Sequence, residues 1–199
     1  MIKAILFDLG NVLATFDERI ACRKWAEISP YSEEEIYKRV FRSPLKVDYE
    51  SGRMQSHEFY ESVTELLDIE VTFEMFREVW SHIFAPNPGM LELTTRLDGK
   101  YDIFLLSNTN EMHFEYVREY FEVMKIPRDF VLSYKVGAMK PDARIFQEAL
   151  EVTGRDPEEC LYTDDMEEYV VASRELGFQA IHFRGPAPFS AELRRLRML

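Results

Sequence analysis

Five short apolar segments recur along this chain, and each gives way to a polar or charged residue at its end. The first, Lys3-Ala4-Ile5-Leu6-Phe7, stops at Asp8; the others are Tyr101 to Leu106, Phe130 to Leu132, Cys160 to Thr163 and Ala180 to Phe183. Continuous apolar runs of this length read as strands buried on both faces, as in a parallel sheet. Between them lie helical patterns at Glu111 to Phe121, Ala143 to Thr153 and Glu167 to Leu176. In the second, Ile145, Phe146, Ala149, Leu150 and Val152 share one face, and Gly154 stands where a left-handed cap is expected. Strands alternating with helices predict βαβ units, hence an α/β fold with a doubly wound, mostly parallel, Rossmann-like sheet.

The stretch from Phe16 to Phe84 breaks that rhythm and reads as consecutive helices with no strand between them. Ser32 followed by Glu33, Glu34 and Glu35 is a capping box, with acid at the positive end of the helix dipole. Ser56 and Thr72 are the expected N-caps of two further helices. Phe73, Phe76, Val79, Trp80 and Phe84 form one expected apolar stripe, and Ala85-Pro86-Asn87-Pro88-Gly89 reads as the return hinge. The expected organisation is a core of residues 1–15 plus 88–199, with a helical cap of residues 16–87 inserted after the first strand.

Composition narrows the function. An apolar share of 46% and an aromatic share of 14% support a real core, and no apolar run is long enough to cross a bilayer. The first apolar segment meets a charge at Asp8, unlike a secretory leader, so a cytoplasmic location is expected, with no membrane partner. A net charge of -12 argues against nucleic acid, whose phosphates this surface would repel. Cys22 and Cys160 lack the neighbours a zinc site needs and read as buried thiols, and the four histidines show no ligand spacing.

Ligands of a parallel sheet gather beyond the carboxyl ends of its strands. Those ends carry Asp8, Ser107-Asn108, a loop with Lys140-Pro141, and Asp164-Asp165. Singly, each has an ordinary reading as a helix cap or a surface charge. Together they supply a carboxylate, a hydroxyl with backbone N–H groups, a cation and paired acids. Phosphoryl transfer requires that set, because its transition state spreads negative charge over oxygens that must be positioned and stabilised.

Phe7-Asp8-Leu9-Gly10-Asn11-Val12-Leu13, Leu105-Leu106-Ser107-Asn108-Thr109, Lys140-Pro141-Asp142 and Tyr162-Thr163-Asp164-Asp165 resemble, in order, the four motifs of the haloacid dehalogenase superfamily. The variety most resembled is the group of small sugar-phosphate phosphatases reading Phe-Asp-Leu-Gly-Asn-Val, glucose-1-phosphate phosphatases among them. The resemblance implies a magnesium-dependent phosphatase of a small phosphorylated metabolite, working through an aspartyl-phosphate. It makes Asp8 the nucleophile and a metal ligand. Ser107 and Asn108 bind phosphoryl oxygens, and Lys140 holds phosphate and nucleophile. The Gly10 carbonyl and Asp165 complete the metal site, with Asp164 as ligand or orienter.

Two positions depart from the pattern. Gly10 stands where most such phosphatases carry a second Asp as general acid and base, a group typically worth ~10²–10⁴-fold in rate. Without it, esters with good leaving groups are favoured, sugar-1-phosphates above all. Tyr169 stands where relatives often have Asn. Gly10 also leaves two alternatives open, a 2-haloacid dehalogenase and a phosphometabolite-binding protein with little turnover. Trp25, Arg42, Lys46 and Arg53 are the cap candidates for lining the entrance, and at any one of them the ordinary reading, a solvated face or core packing, comes first.

Overall fold

The computed structural model describes residues 1–199. Its strands are β1 (Ala4–Phe7), β2 (Ala14–Phe16), β3 (Phe84–Pro86), β4 (Asp102–Ser107), β5 (Asp129–Leu132), β6 (Cys160–Asp164) and β7 (Gln179–His182). Five of them form a wholly parallel sheet in the order β5-β4-β1-β6-β7, while β2 and β3 pair antiparallel as a separate ribbon. Between β2 and β3 run α1 (Arg19–Ala26), α2 (Glu33–Ile36), α3 (Pro44–Glu50), α4 (Ser56–Leu67) and α5 (Phe73–Ser81). After β3 come α6 (Met90–Leu97), α7 (Glu111–Tyr120), α8 (Ser133–Val136), α9 (Ala143–Thr153), α10 (Glu167–Glu175) and α11 (Pro186–Arg195).

The central strand shows why the sheet needs helices on both faces. Ile5 and Phe7 pack with Met90, Phe114, Val117, Phe189 and Leu193 on one side. Ala4 and Leu6 pack with Ile145, Phe146, Ala149 and Tyr162 on the other. Side chains alternate across a strand, so four consecutive apolar residues can be satisfied only by two apolar layers.

The helices α1 to α5 have an aromatic core of their own. Trp25, Phe41, Phe59, Phe76 and Trp80 are buried together, with Trp25 stacked on Phe76 at 5.2 Å and Phe41 on Trp80 at 5.0 Å. Stacked aromatic pairs add to the stabilisation that burial alone supplies. The unit is tied to the sheet layer through a buried polar cluster. Trp80 Nε1 donates to Asn110 Oδ1 (3.2 Å), His113 Nε2 lies 3.0 Å from the Trp80 carbonyl, and the Met112 N–H donates to the Tyr49 hydroxyl (3.2 Å).

The Ser32 capping box, the Thr72 cap and the left-handed Gly154 are present as expected. Three expectations fail. Gln55, not Ser56, caps α4; the Ser56 hydroxyl instead joins Tyr49 to the Glu111 carboxylate. The stripe ends with α5 at Ser81, and Phe84-Ala85-Pro86, read as stripe end and hinge, form β3. Its partner β2 was equally hidden. A three-residue antiparallel ribbon offers too little alternation to register as a strand, and Pro86 occupies an edge position where its missing N–H costs nothing.

Candidate active site

Register assembles the site. Phe7 is aligned with Leu105 on one side and Thr163 on the other, so the residues that follow, Asp8, Leu106-Ser107 and Asp164, emerge together at the carboxyl edge. The chain moves from β1 toward β5 and then crosses back to β6, which makes this edge the switch point of the sheet, where ligands bind in doubly wound folds.

Lys140 reaches into this edge from the loop before α9 and is almost wholly buried. Its Nζ donates to Asp8 Oδ1 (2.7 Å), Asp164 Oδ2 (2.6 Å) and the Leu106 carbonyl (3.2 Å). Asn108 clamps the lysine backbone at two points: Nδ2 donates to the Lys140 carbonyl (3.0 Å), and Oδ1 accepts from the Lys140 N–H (2.7 Å). The Asn108 side chain is thus fully engaged, leaving its backbone for ligand contact. Asp164 is saturated as well. Besides Lys140, it accepts from the Met166 N–H (2.8 Å) and the Tyr162 hydroxyl. Burial and the neighbouring carboxylates hold that phenol far above its ordinary pKa, so it remains a donor. Asp165 is less enclosed; its Oδ2 accepts from Asn11 Nδ2 at 2.9 Å.

Carboxylate oxygens of Asp8, Asp164 and Asp165 lie within 4.8 Å of one another. Three acids against the one ammonium of Lys140 leave an excess of negative charge. Burial pushes Asp8 up to about 7; Lys140 opposes this, and Asp164 and Asp165 add to it. For Lys140, burial works against the charge, but Asp8 and Asp164 outweigh it and raise its pKa. A divalent cation fits this edge: the donors are hard oxygens, and like charges held so close are costly without one.

Above the edge lies a cavity of about 460 Å³, within the range of small-molecule sites. Its floor includes Asp8, Gly10, Ser107, Asn108, Lys140 and Asp165. Every residue assigned from the motifs therefore converges here except Asp164, which lies beneath Lys140. Of the proposed entrance residues, Arg42 and Lys46 line the cavity. Trp25 does not, being buried in the aromatic core, and Arg53 pairs with Asp48 on the surface. Tyr169 also lines it, its hydroxyl 3.5 Å from Asn108 Nδ2 and its ring 5.2 Å from Lys140 Nζ. Glu18, Glu50 and His113 line the cavity too and carried no signal in the sequence. Burial drives His113 down to about 3, so it is neutral and holds Trp80 rather than a proton for chemistry.

Gly10 has a physical explanation. A Cβ built there would sit 2.8 Å from the Phe16 ring, closer than real Cβ contacts come. The ring of β2 occupies the space into which a side chain at position 10 would grow.

A doubly wound core carrying a buried Asp-Lys-Asp cluster at its switch point defines a class of hydrolase, and comparison with known proteins identifies it. Residues 2–175 match the model of the haloacid dehalogenase-like hydrolases, and the chain belongs to that family. It is 26% identical to a D-ribitol-5-phosphate phosphatase of Bacteroides thetaiotaomicron over 97% of either chain. It is 30% identical to a pyrimidine 5'-nucleotidase of Escherichia coli, over 75% of this chain and 71% of that one. A haloacid dehalogenase family enzyme of Bacteroides thetaiotaomicron, solved with magnesium and inorganic phosphate, superposes with a TM-score of 0.84 at 26% identity. That match covers 93% of this chain and 96% of the other.

Proposed function

We propose that this enzyme is a magnesium-dependent phosphatase of a small phosphorylated metabolite, with Asp8 as nucleophile. The observation that carries the reading is the position of Asp8 at the cavity floor, hydrogen-bonded through one oxygen to Lys140, with two further carboxylates alongside. The ionised Asp8 attacks phosphorus, the bond to the leaving oxygen breaks, and an aspartyl-phosphate forms; water then cleaves it, releasing phosphate and regenerating Asp8. Lys140, the Ser107 hydroxyl and the Asn108 backbone N–H hold the phosphoryl oxygens through both steps.

Asp8, the Gly10 carbonyl and Asp165 would hold the cation. Asp164 orients Lys140, since both of its oxygens already accept hydrogen bonds. When bound, magnesium screens the attacking carboxylate from the phosphate and takes up charge. Residues 16–87 act as the lid over this edge. The three acids favour this reading over a dehalogenase, because they would repel a haloacid carboxylate unless a cation stood between them.

The substrate is a sugar or polyol phosphate. Gly10 favours sugar-1-phosphates within that class, because their leaving oxygens need less help from an acid. The relative named for D-ribitol-5-phosphate supports open-chain polyol phosphates as the second reading. Turnover of p-nitrophenyl phosphate with and without magnesium tests the central claim: hydrolysis that depends on the metal is expected. No hydrolysis in its presence would favour a binding protein.

A further inference from the structure

The roof of the cavity holds a charge cluster with no place in the phosphoryl-transfer machinery. Lys46 of α3 donates to Glu18 Oε1 at 2.5 Å and pairs with Glu50 Oε1 at 3.6 Å. All three line the same cavity as Asp8 and Lys140. Their side chains are 21%, 13% and 13% exposed for Lys46, Glu18 and Glu50, so the cluster has left bulk water and opens mainly onto the cavity. Backbone bonding ties it to the phosphoryl-binding loop: the Ser133 hydroxyl accepts from the Thr109 N–H (3.0 Å) and donates to the Glu50 carbonyl (2.5 Å).

An ion cluster withdrawn from water is a poor device for stability, since apolar residues of similar volume often serve the fold as well or better. This one also leaves hydrogen-bonding capacity open. Lys46 makes a short hydrogen bond only to Glu18, its contact with Glu50 is a longer 3.6 Å ion pair, and the Glu50 carboxylate has no other protein donor. An ammonium with free N–H groups beside two carboxylates offers donors and acceptors a few ångströms apart. Hydroxyl groups, which donate and accept at once, match that pattern. An alkyl or aryl group would leave those polar atoms unpaired in a closed site, which is the stronger source of discrimination.

Resting on the phosphatase reading, we propose that Glu18, Lys46 and Glu50 form a subsite that reads the hydroxyls of the substrate's carbon chain. The enzyme therefore selects polyhydroxylated phosphate esters, sugar or polyol phosphates, over nucleotides and simple aryl esters. Burial raises the Glu50 pKa against the opposing pull of Lys46. For Lys46 burial works against the charge, but Glu50 and Glu18 outweigh it and raise its pKa, as in a partly desolvated cluster.

The test compares glucose 1-phosphate, ribitol 5-phosphate, uridine 5'-monophosphate and p-nitrophenyl phosphate as substrates of the magnesium-loaded enzyme. The variants are Lys46→Met and the charge-free triple variant Glu18→Gln, Lys46→Met, Glu50→Gln. In the triple variant, KM for the preferred polyol ester should rise about tenfold or more, the scale of one hydrogen bond to a charged group, with kcat changing far less. The ratio of its kcat/KM to that for p-nitrophenyl phosphate should fall by a similar factor, and Lys46→Met should move it in the same direction. Glu18→Gln, which keeps most of the cluster's shape, repeats the comparison if the triple variant melts below the assay temperature. An unchanged ratio, a loss confined to kcat, or a wild-type preference for the nucleotide overturns the subsite and leaves the phosphatase reading standing. Absence of magnesium-dependent p-nitrophenyl phosphate turnover by the wild type overturns the phosphatase reading, and the subsite with it.

Discussion

The floor and the roof of the cavity are both charged, but they are built in opposite ways. On the floor, Lys140, Asp8 and Asp164 are locked by short hydrogen bonds, by the Asn108 clamp and by the parallel register of β1 and β6. On the roof, Lys46 makes one short hydrogen bond, to Glu18, and only a longer 3.6 Å contact with Glu50, whose carboxylate has no other donor. A saturated network fixes geometry to the tolerance that chemistry needs, since misplacement of about 1 Å can cost a hundredfold in rate. An unsaturated one leaves donors and acceptors for a ligand. On the proposed reading, the contrast separates reaction from selection, with the first at the sheet edge and the second on the segments above it.

The sharpest way to break that contrast is to remove the nucleophile. Asp8→Asn keeps the shape and the ability to accept from Lys140 but cannot form an acyl-phosphate. We expect kcat to fall by at least about 10³-fold for every substrate alike, while thermal melting shows a folded protein. Neutralising Asp8 also relieves charge crowding, so the melting temperature should not fall. Activity near that of the wild type would remove Asp8 from its role, and a loss confined to one substrate would mean that floor and roof are not divided as described.

The same contrast governs what could be read before the fold was known. Asp8, Ser107, Lys140 and Asp165 were legible only together, as a constellation at strand ends and as four motifs in order; singly each reads as a cap or a surface charge. The five-stranded sheet was legible more directly, because strands buried on both faces leave unbroken apolar segments. Glu18 stands just before α1, and Lys46 and Glu50 lie on α3, in a chain with many such charges, where a glutamate on a cavity wall and one in solvent look alike. Lys46 was marked only as one of four entrance residues, two of which line other places. The β2–β3 ribbon joins residues seventy positions apart through three-residue strands, too short for periodicity to betray. The division of roles between Asp164 and Asp165 needed the side-chain geometry, because Asp164 ends β6 with its oxygens taken by Lys140, Tyr162 and the Met166 N–H, while Asp165 lies in the bend beyond the strand.

A smaller effect sharpens the division on the floor itself. Asp165→Ala should weaken magnesium affinity about 10- to 100-fold in a calorimetric titration. Asp142→Ala should leave it nearly unchanged, because that side chain caps α9 by accepting from the Arg144 N–H at 2.9 Å. Equal effects would overturn the assignment of Asp165 as ligand. The cation should also set the pH profile. In the metal-free protein Asp8 takes up a proton near pH 7, and the protonated acid cannot attack. Magnesium favours the ionised form, so the acidic limb of kcat/KM should move to lower pH as magnesium approaches saturation. A limb that stays fixed as the metal concentration changes would assign it to another group.

The smallest expected change lies where floor meets ribbon, at Gly10. Introducing an acid there is the obvious attempt to restore general acid catalysis and to speed the cleavage of alkyl phosphates. The structure argues that Gly10→Asp alone will do little. Its Cβ would meet Phe16 Cε1 at 2.8 Å, so the ring must swing away before the carboxyl can point into the cavity. Phe16 is 38% exposed and has room to turn toward solvent, yet moving it gives up its contact with Phe84 across the ribbon, at 5.9 Å between ring centroids. We expect Gly10→Asp to change the ratio of kcat/KM for glucose 1-phosphate over glucose 6-phosphate by no more than about threefold, well short of a positioned acid. Adding Phe16→Ala should free the space and narrow the ratio further, and Phe16→Ala alone should not. If the single Gly10→Asp variant closes the gap by itself, the ring is no obstacle. If the double variant leaves the gap wide, the missing acid is not what separates the two esters, and the roof rather than the floor sets the preference.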